Sequence, residues 1–178
     1  MTELDVNTPK GETAKMQEKR AHELLVQRYP CDIIPTYPDK KAKIDAIFSY
    51  SGELDVIAET KSREYFNRQK KTLFTEKKLF DVGSWLITFD KIERGKYLSE
   101  ILTCVYIGLL YLVSEDKLFV WKIARFGEWC CDFDTRKTKT KETTNGGEAY
   151  RENAFLRTSD IVCKVDGKFN SYSEYKNR

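Results

Sequence analysis

Residues 43–61 read KIDAIFSYSGELDVIAETK, and apolar and polar side chains alternate along both halves of this stretch. Alternation with a period of two is typical of β-strands that turn one face toward a core. Ser51 and Gly52 separate the two halves, which favours a hairpin. The stretch therefore predicts two neighbouring antiparallel strands, at residues 43–50 and 53–61.

The two faces of this predicted hairpin differ in chemistry. The face expected to meet the core carries Ile44, Ala46, Phe48, Tyr50, Leu54, Val56, Ala58 and Thr60. The face expected to carry chemistry or meet solvent has Lys43, Asp45, Ile47, Ser49, Glu53, Asp55, Ile57, Glu59 and Lys61. A slip of one residue would send Asp45 and Glu59 to opposite faces. We therefore expect a three-residue turn at 50–52, with Gly52 in the left-handed conformation.

Asp45, Glu59 and Lys61 form a candidate catalytic group on the second face. Phosphodiester hydrolysis needs a divalent cation, an activated water and stabilisation of developing negative charge. We assign Asp45 and Glu59 as ligands of Mg²⁺, for which Mn²⁺ would substitute, because Mg²⁺ prefers one or two carboxylates and fills its remaining positions with water and substrate oxygens. Lys61 would lie beside the attacking water and stabilise the pentavalent phosphate.

The tripeptide E-x-K is a weak signal by itself, because the chain contains four copies. They begin at Glu59, Glu76, Glu115 and Glu174. The copy at Glu59 differs from the others because it ends an apolar strand and has an acid, Asp45, fourteen residues earlier on a partner strand. The alternative interpretation is an amphipathic hairpin with an ordinary solvated face.

The segment before the hairpin predicts a helix at residues 11–28, ended by Pro30, and a strand at 31–35. The apolar side of the helix carries Ala14, Ala21, Leu24 and Leu25. Glu18 lies on this inward side, where it either extends to solvent or serves as a further carboxylate of the site. His22 is expected on the helix surface.

The rest of the chain predicts an alternation of helices and strands. Helices are expected from about residue 62 to 80, ended by Gly83, and from 90 to 102, with Asp90 as N-cap and Glu93 completing a capping box. Strands are expected at 85–88, 105–113, 117–123 and within 154–165, and a loop at 135–147. We assign residues 1–124 to the core of an α/β domain and 125–178 to an extension packed on the same domain.

Composition favours a soluble, cytoplasmic globular protein. The 178 residues are 40% hydrophobic and 33% charged, which suffices to bury a core. The apolar run at 104–113 is too short to span a bilayer, and the N-terminus lacks the pattern of a signal peptide. Five cysteines without a CxxC pair and a single histidine argue against a zinc site. No G-x-x-x-x-G-K sequence occurs, which argues against a nucleotide cofactor.

Positive charge is concentrated in two segments, although the net charge is only +3. Residues 61–78 contain seven basic and two acidic side chains, and residues 136–141 form a second basic run threaded with threonine. Both segments could contact phosphates, and ordinary solvated loops are the alternative.

The chain resembles the PD-(D/E)XK nuclease superfamily, especially its Holliday-junction-resolvase-like and phage members. The resemblance covers residues 17–113 and rests on QEKRAHELL, KIDAIFSYSGELDVIAETKSR and ITFDKIERGKYLSEIL in the order helix, strand, Asp-bearing strand, E-x-K strand, helix, strand. It implies a restriction-endonuclease-like αβββαβ core, with a mixed central sheet flanked by helices and extra C-terminal strands. Ile44 stands where the family name has proline, and Asp55 is a competing acid on the same face.

The resemblance also implies roles for individual residues. Glu18 matches the acid of the first helix, Asp45 the Asp motif, and Glu59 with Lys61 the (D/E)XK motif. Lys91, at the start of the later helix, matches a position where relatives often have lysine or glutamine.

The implied function is a metal-dependent DNA endonuclease, with a phage-encoded or junction-directed enzyme among the alternatives. Phosphate contacts are assigned to Arg63, Arg68, Lys70 and Lys71. One alternative is a catalytically inactive nuclease-fold module that binds nucleic acid or protein, and another is a structural protein that uses the fold as a scaffold. Branched DNA, nicked DNA, a specific duplex site and RNA all remain candidate substrates, and symmetric junction cleavage would require a homodimer.

Overall fold

The computed structural model describes residues 9–36, 44–50, 52–67, 70–140 and 149–177. Its helices are α1 (Pro9–Arg28), α2 (Glu76–Val82), α3 (Phe89–Ile101) and α4 (Tyr172–Lys176). Its strands are β1 (Asp32–Pro35), β2 (Ala46–Ser49), β3 (Leu54–Arg63), β4 (Tyr65–Asn67), β5 (Thr72–Leu73), β6 (Ser84–Thr88), β7 (Val105–Leu112), β8 (Lys117–Arg125), β9 (Glu128–Trp129), β10 (Phe133–Thr140), β11 (Ala149–Arg157) and β12 (Ile161–Asp166). The protein is thus an α/β protein, as expected.

The strands form a mixed central sheet, a smaller second sheet and a short hairpin. The central sheet has the order β1-β2-β3-β7-β8-β12, with β9 paired to β8. β3 and β7 pair in parallel, and the other neighbouring pairs are antiparallel. The second sheet has the order β10-β11-β6, and β4 pairs with β5. The C-terminal segment therefore contributes strands to both larger sheets.

Apolar cores cover both faces of the central sheet. On one face, Leu24 and Leu25 of α1 pack with Phe48. On the other, Ile57 packs with Trp85 of β6 and with Ile92 of α3. This second face of the hairpin was expected to carry chemistry or to meet solvent, and the solvent alternative was wrong, because α3 and the second sheet lie over it.

The connection between β2 and β3 is longer than the predicted turn. β2 ends at Ser49 and β3 begins at Leu54, so the connection has one residue more than expected. Gly52 has a φ of +84°, the left-handed conformation predicted for it. By itself, this even connection would place Asp45 and Glu59 on opposite faces.

A β-bulge at Asp55 restores the expected register. The pairing shifts between Phe48↔Val56 and Ser49↔Leu54, which leaves Asp55 as an extra residue in β3. The Asp55 carboxylate accepts a hydrogen bond of 2.7 Å from the backbone N–H of Tyr50, which closes the turn. Asp55 therefore shapes the hairpin and does not join the candidate site. Leu54, and Ile44 in the bend before β2, pack in the core that contains Ile57, Trp85 and Ile92. Both were expected on the opposite face of the hairpin, with Phe48.

A buried ion pair ties α1 to the turn between β7 and β8, and two rings of the C-terminal segment lie beside it. The Arg20 guanidinium donates to both oxygens of Asp116, at 2.9 and 2.7 Å, and the hydroxyl of Tyr111 donates to the same carboxylate at 2.8 Å. Arg20 is 3% exposed and Asp116 is fully buried. The rings of Phe169 and Tyr175 lie within 5.3 and 4.3 Å of the guanidinium carbon. This cluster closes the edge of the core where α1 meets the chain end.

Several expected elements differ in the structure. The helix expected at 62–80 is restricted to α2, because β3 continues to Arg63 and the β4–β5 hairpin follows. Gly83 ends α2 in the left-handed conformation, as expected.

Thr88, and not Asp90, is the N-cap of α3, and Asp90 instead pairs with Arg94 at 3.0 Å. Residues 133–140 form strand β10, whereas a loop was expected from 135; residues 141–147 of that expected loop lie outside the described part of the chain.

Two side chains of α1 also lie elsewhere than expected. Ala14 is exposed, because the buried stripe of the helix begins only near Arg20. His22 is buried beside the site described below. No helix in the described ranges is long and apolar enough to cross a membrane.

Candidate active site

The β2–β3 pair brings Asp45 opposite Glu59. Ala46 pairs with Ala58 across the two strands, and the backbone N–H of Asp45 donates to the carbonyl of Ala58 at 2.9 Å. Asp45 also accepts a 2.7 Å hydrogen bond from the backbone N–H of Thr60 through its Oδ2. The carboxylate of Asp45 is thus oriented by the strand that carries Glu59.

The Lys61 ammonium lies within reach of both carboxylates. Its Nζ is 2.6 Å from Oε1 of Glu59 and 3.9 Å from Oδ2 of Asp45. These three side chains are the ones that the hairpin pattern predicted to share a face, and the structure brings them together. The cation sits where two negative charges would otherwise repel each other.

A second lysine reaches Glu59 from α3. Lys91 places its Nζ 3.2 Å from Oε2 of Glu59, and the Glu59 side chain is only 1% exposed. A buried carboxylate needs charged partners, because burial of an unpaired charge is costly. Glu59 is therefore held between two ammonium groups, one on its own strand and one on α3. The position of α3 relative to β3 could not be predicted from the sequence alone.

Close packing of α3 against β7 explains the position of Lys91. A Cβ atom at Gly95 would lie 2.2 Å from the ring of Tyr106, so glycine permits the approach. The Tyr106 hydroxyl is 3.4 Å from the backbone carbonyl of Lys91, to which it donates. The first turn of α3 is thereby held above the strand that carries Glu59.

Glu18 lies in the electrostatic field of this cluster. Burial and the negative charges of Asp45 and Glu59 raise its pKa to about 7, although Lys61 and Lys91 oppose the shift. For Lys61, burial by itself lowers the pKa, but the carboxylates of Glu59 and Asp45 more than offset it, so the pKa lies above its ordinary value. Lys61 is therefore protonated at neutral pH, and Glu18 titrates there.

We expect Glu18→Gln to stabilise the metal-free protein at alkaline pH. Because the pKa of Glu18 rises from 4.5 to about 7 on folding, the folded state binds its proton more tightly, and stability falls as pH rises through this interval. The variant should gain up to about 3 kcal/mol in the free energy of unfolding at pH 8 and little at pH 4. Thermal melts in EDTA test this, with the exposed Glu12→Gln as control. An equal effect of Glu18→Gln at both pH values would contradict it.

His22 occupies a buried position next to the site, which corrects the expectation of a surface residue. Its Nε2 is 2.9 Å from the hydroxyl of Thr60, and its ring packs edge-on against Phe48. Burial lowers the pKa of His22 to about 4, so the ring is neutral at pH 7. The sequence carried a signal for this position, because His22 is four residues after Glu18 and three before Leu25, on the inward side of α1.

The donor set fits a hard divalent cation. Oε1 of Glu59 is buried and faces the Lys61 ammonium at 2.6 Å. One oxygen of Asp45 is held by Thr60, which leaves the other for a ligand. Within the described residues, no group of three or more His, Cys, Asp or Glu side chains is arranged to hold an ion. Mg²⁺ commonly uses only one or two carboxylates, so Asp45 and Glu59 suit it better than they suit zinc.

The described residues predicted to contact phosphate lie at the end of β3 and on the hairpin that follows it. Arg63 is half-buried and donates to the carbonyl of Ser62 at 3.3 Å. Lys70 and Lys71 are exposed at the turn of the β4–β5 hairpin. Arg68 lies outside the described residues. The structure thus places Arg63 at the end of β3, and Lys70 and Lys71 on a short hairpin, and not on the helix expected there.

Comparisons with protein-family models, with curated proteins and with solved structures find no match for this chain. The function of the site is therefore inferred from its own residues.

Proposed function

We propose that this protein is an Mg²⁺-dependent nuclease of the PD-(D/E)XK type that hydrolyses phosphodiester bonds in DNA. The observation that carries the proposal is the arrangement around Glu59, a carboxylate that is 1% exposed, with Lys61 and Lys91 at 2.6 and 3.2 Å and Asp45 facing it across the hairpin. A buried acid and a second acid on the same face of a sheet, with two lysines gathered around them, form the kind of desolvated charge cluster that is typical of a functional site.

The order of elements supports a restriction-endonuclease-like core. Helix α1, the antiparallel strands β1, β2 and β3, helix α3 and the parallel strand β7 follow one another as αβββαβ. The segment from β4 to β6 is an insertion between β3 and α3. The candidate acids lie on β3 and immediately before β2, and Lys91 lies in the first turn of α3, which are the positions that the resemblance assigns to them.

The residues of the site divide the work of hydrolysis. Asp45 and Glu59 would hold the metal ion, which when bound neutralises phosphate charge and makes water more acidic. Lys61 is protonated and flexible enough to turn from Glu59 toward a phosphate oxygen, where its charge stabilises the transition state. Lys91 keeps the second oxygen of Glu59 in place. Glu18, with a pKa near neutrality, is positioned to exchange a proton with water at the edge of the site.

Cleavage should depend on a divalent cation and on Asp45. Plasmid, linear duplex and branched DNA would be incubated with Mg²⁺, Mn²⁺ or EDTA, and products resolved on gels. We expect cleavage with either metal and none with EDTA. Asp45→Ala should raise the Mg²⁺ concentration for half-maximal rate at least about tenfold, because a metal ligand is lost. The control is Asp32→Ala, an exposed acid on β1.

Two results would overturn the proposal. Cleavage that persists unchanged in EDTA would exclude a metal-dependent reaction. Binding of DNA without cleavage of any substrate, together with no effect of Asp45→Ala, would favour the catalytically inactive binding module instead.

A further inference from the structure

The β10–β11 hairpin carries an exposed basic surface outside the proposed site. Its exposed cationic side chains are Arg136, Lys137, Lys139, Arg151 and, at the other end of β11, Arg157. The described residues 135–139 and 150–152 contain one acidic side chain, Glu152. Cations therefore outnumber acids on this part of the hairpin, and Glu152 lies opposite Lys137 across the two strands.

The basic part of the hairpin projects past the end of β6. In the second sheet, Asn153 of β11 pairs with Thr88, the last residue of β6, so residues 149–152 extend further than their neighbour strand. Helix α3 begins directly after Thr88, and Lys91 in its first turn contacts Glu59. The projecting segment thus lies at the end of the sheet from which α3 enters the proposed active site.

An exposed aromatic ring lies within this basic segment. Tyr150 is 72% exposed, the highest value among the large apolar side chains that the described ranges expose. It pairs with Lys139 across the hairpin, and the Lys139 ammonium lies 6.0 Å from the centre of its ring. On the opposite face of the hairpin, Arg136 packs over Phe155 at 4.9 Å. The strand pairing thus holds one cation beside an open aromatic face.

The spacing of the cations suits a nucleic-acid backbone. Lys137 and Lys139 point to the same face and are about 7 Å apart along the strand. Each DNA strand carries one phosphate per about 3.4 Å of helix axis, so two cations on one face can contact phosphates of the same strand. The exposed part of the hairpin has no large aliphatic side chain among its described residues, which disfavours insertion into a lipid surface.

We infer that the β10–β11 hairpin is a second nucleic-acid contact that selects substrates with unpaired bases. Its cations bind the backbone, and Tyr150 stacks on a base that the duplex does not hold. Exposed aromatic rings beside cations are the usual means by which proteins bind single strands. The inference rests on the proposed nuclease function and adds a substrate class to it, DNA with a single-stranded segment or branch next to the bond that is cut.

Binding measured without metal tests the inference independently of cleavage. Fluorescence anisotropy in EDTA would compare the full chain and its variants on a labelled 30-mer duplex and on the same duplex with a single-stranded flap, over a series of salt concentrations. Tyr150→Ser should weaken flap binding about tenfold and leave duplex binding and both salt slopes unchanged. The matched control is Tyr97→Ser, because Tyr97 is 62% exposed on α3.

The charges are tested by a matched pair of double variants. Lys137→Ala with Lys139→Ala should weaken binding of both DNAs and reduce the salt slope by up to about 1.8, since each lost phosphate contact contributes about 0.9. The control is Lys168→Ala with Lys176→Ala, which removes two exposed cations from the C-terminal segment.

The outcomes separate this inference from the proposed function. If the wild-type protein cleaves DNA but both hairpin variants bind like the wild type, the inference is wrong and the nuclease function stands. If hairpin-dependent flap binding is found without any cleavage, the contact is real and the nuclease function fails. Equal loss of flap and duplex binding in Tyr150→Ser would overturn the stacking role. Hairpin-dependent binding to vesicles containing phosphatidylserine, without DNA binding, would replace it with a lipid surface.

Discussion

Lys61→Ala is expected to lower the rate of DNA cleavage by about 10²–10³-fold at saturating DNA and Mg²⁺. Burial lowers the pKa of the Lys61 ammonium, but the carboxylates of Glu59 and Asp45 raise it by more. Lys61 is therefore positively charged at neutral pH. Its proposed contact with phosphate strengthens as charge develops, so the loss should fall on kcat and leave DNA affinity within a few-fold of the wild type. Single-turnover cleavage and anisotropy on the same substrate measure the two quantities.

Two further variants make this result interpretable. Lys61→Arg keeps the charge and should retain more activity than the alanine variant, and Lys77→Ala removes an exposed lysine on α2 and should have no effect. Because Lys61 also offsets the charge of Glu59, thermal melts must show that Lys61→Ala is folded at the assay temperature. A folded alanine variant with wild-type kcat would exclude Lys61 from the reaction.

Arg20→Met is expected to lower the free energy of unfolding by about 3–5 kcal/mol. Methionine keeps much of the side-chain volume but leaves the carboxylate of Asp116 without its cation in a fully buried position. The cost is that of an uncompensated buried charge and not the loss of one hydrogen bond. Urea denaturation followed by tryptophan fluorescence measures the change.

An exposed ion pair of nearly the same length provides the control. Lys77 and Asp81 are 2.9 Å apart but are 83% and 51% exposed, so Lys77→Met should cost less than about 1 kcal/mol. Combining Arg20→Met with Asp116→Asn should recover part of the stability, because the buried charge is then removed. A cost below 1 kcal/mol for Arg20→Met alone would show that the buried ion pair does not hold α1 to the turn between β7 and β8.

Much of the central sheet was predictable from local pattern. Period-two alternation located β2 and β3, and the apolar run at 104–113 located β7, because a buried strand needs side chains of one kind on each face. The pattern failed after Lys61, where charged residues without a clear period were assigned to a helix. It also failed at β10, where alternating threonine and lysine was taken for a loop, although β-branched residues at every second position favour a strand.

The register of the candidate site could not be read from the turn alone. An even connection would have separated Asp45 from Glu59, and the bulge at Asp55 reverses that outcome. Bulges depend on how a hairpin is packed and twisted, and they have weak sequence signatures. The predicted grouping of Asp45, Glu59 and Lys61 on one face was therefore reached through a turn of the wrong length.

The sequence by itself determined the local chemistry, which is two acids and a lysine at strand spacing with a carboxylate on the inward side of the preceding helix. The tertiary structure alone decided how buried that chemistry is. Helix α3 and the second sheet cover the face that was expected to carry chemistry or to meet solvent, and this leaves Glu59 1% exposed and in contact with Lys91. Burial and long-range docking depend on residues distant in the chain, because desolvation and Coulomb interactions act through space and not along the sequence.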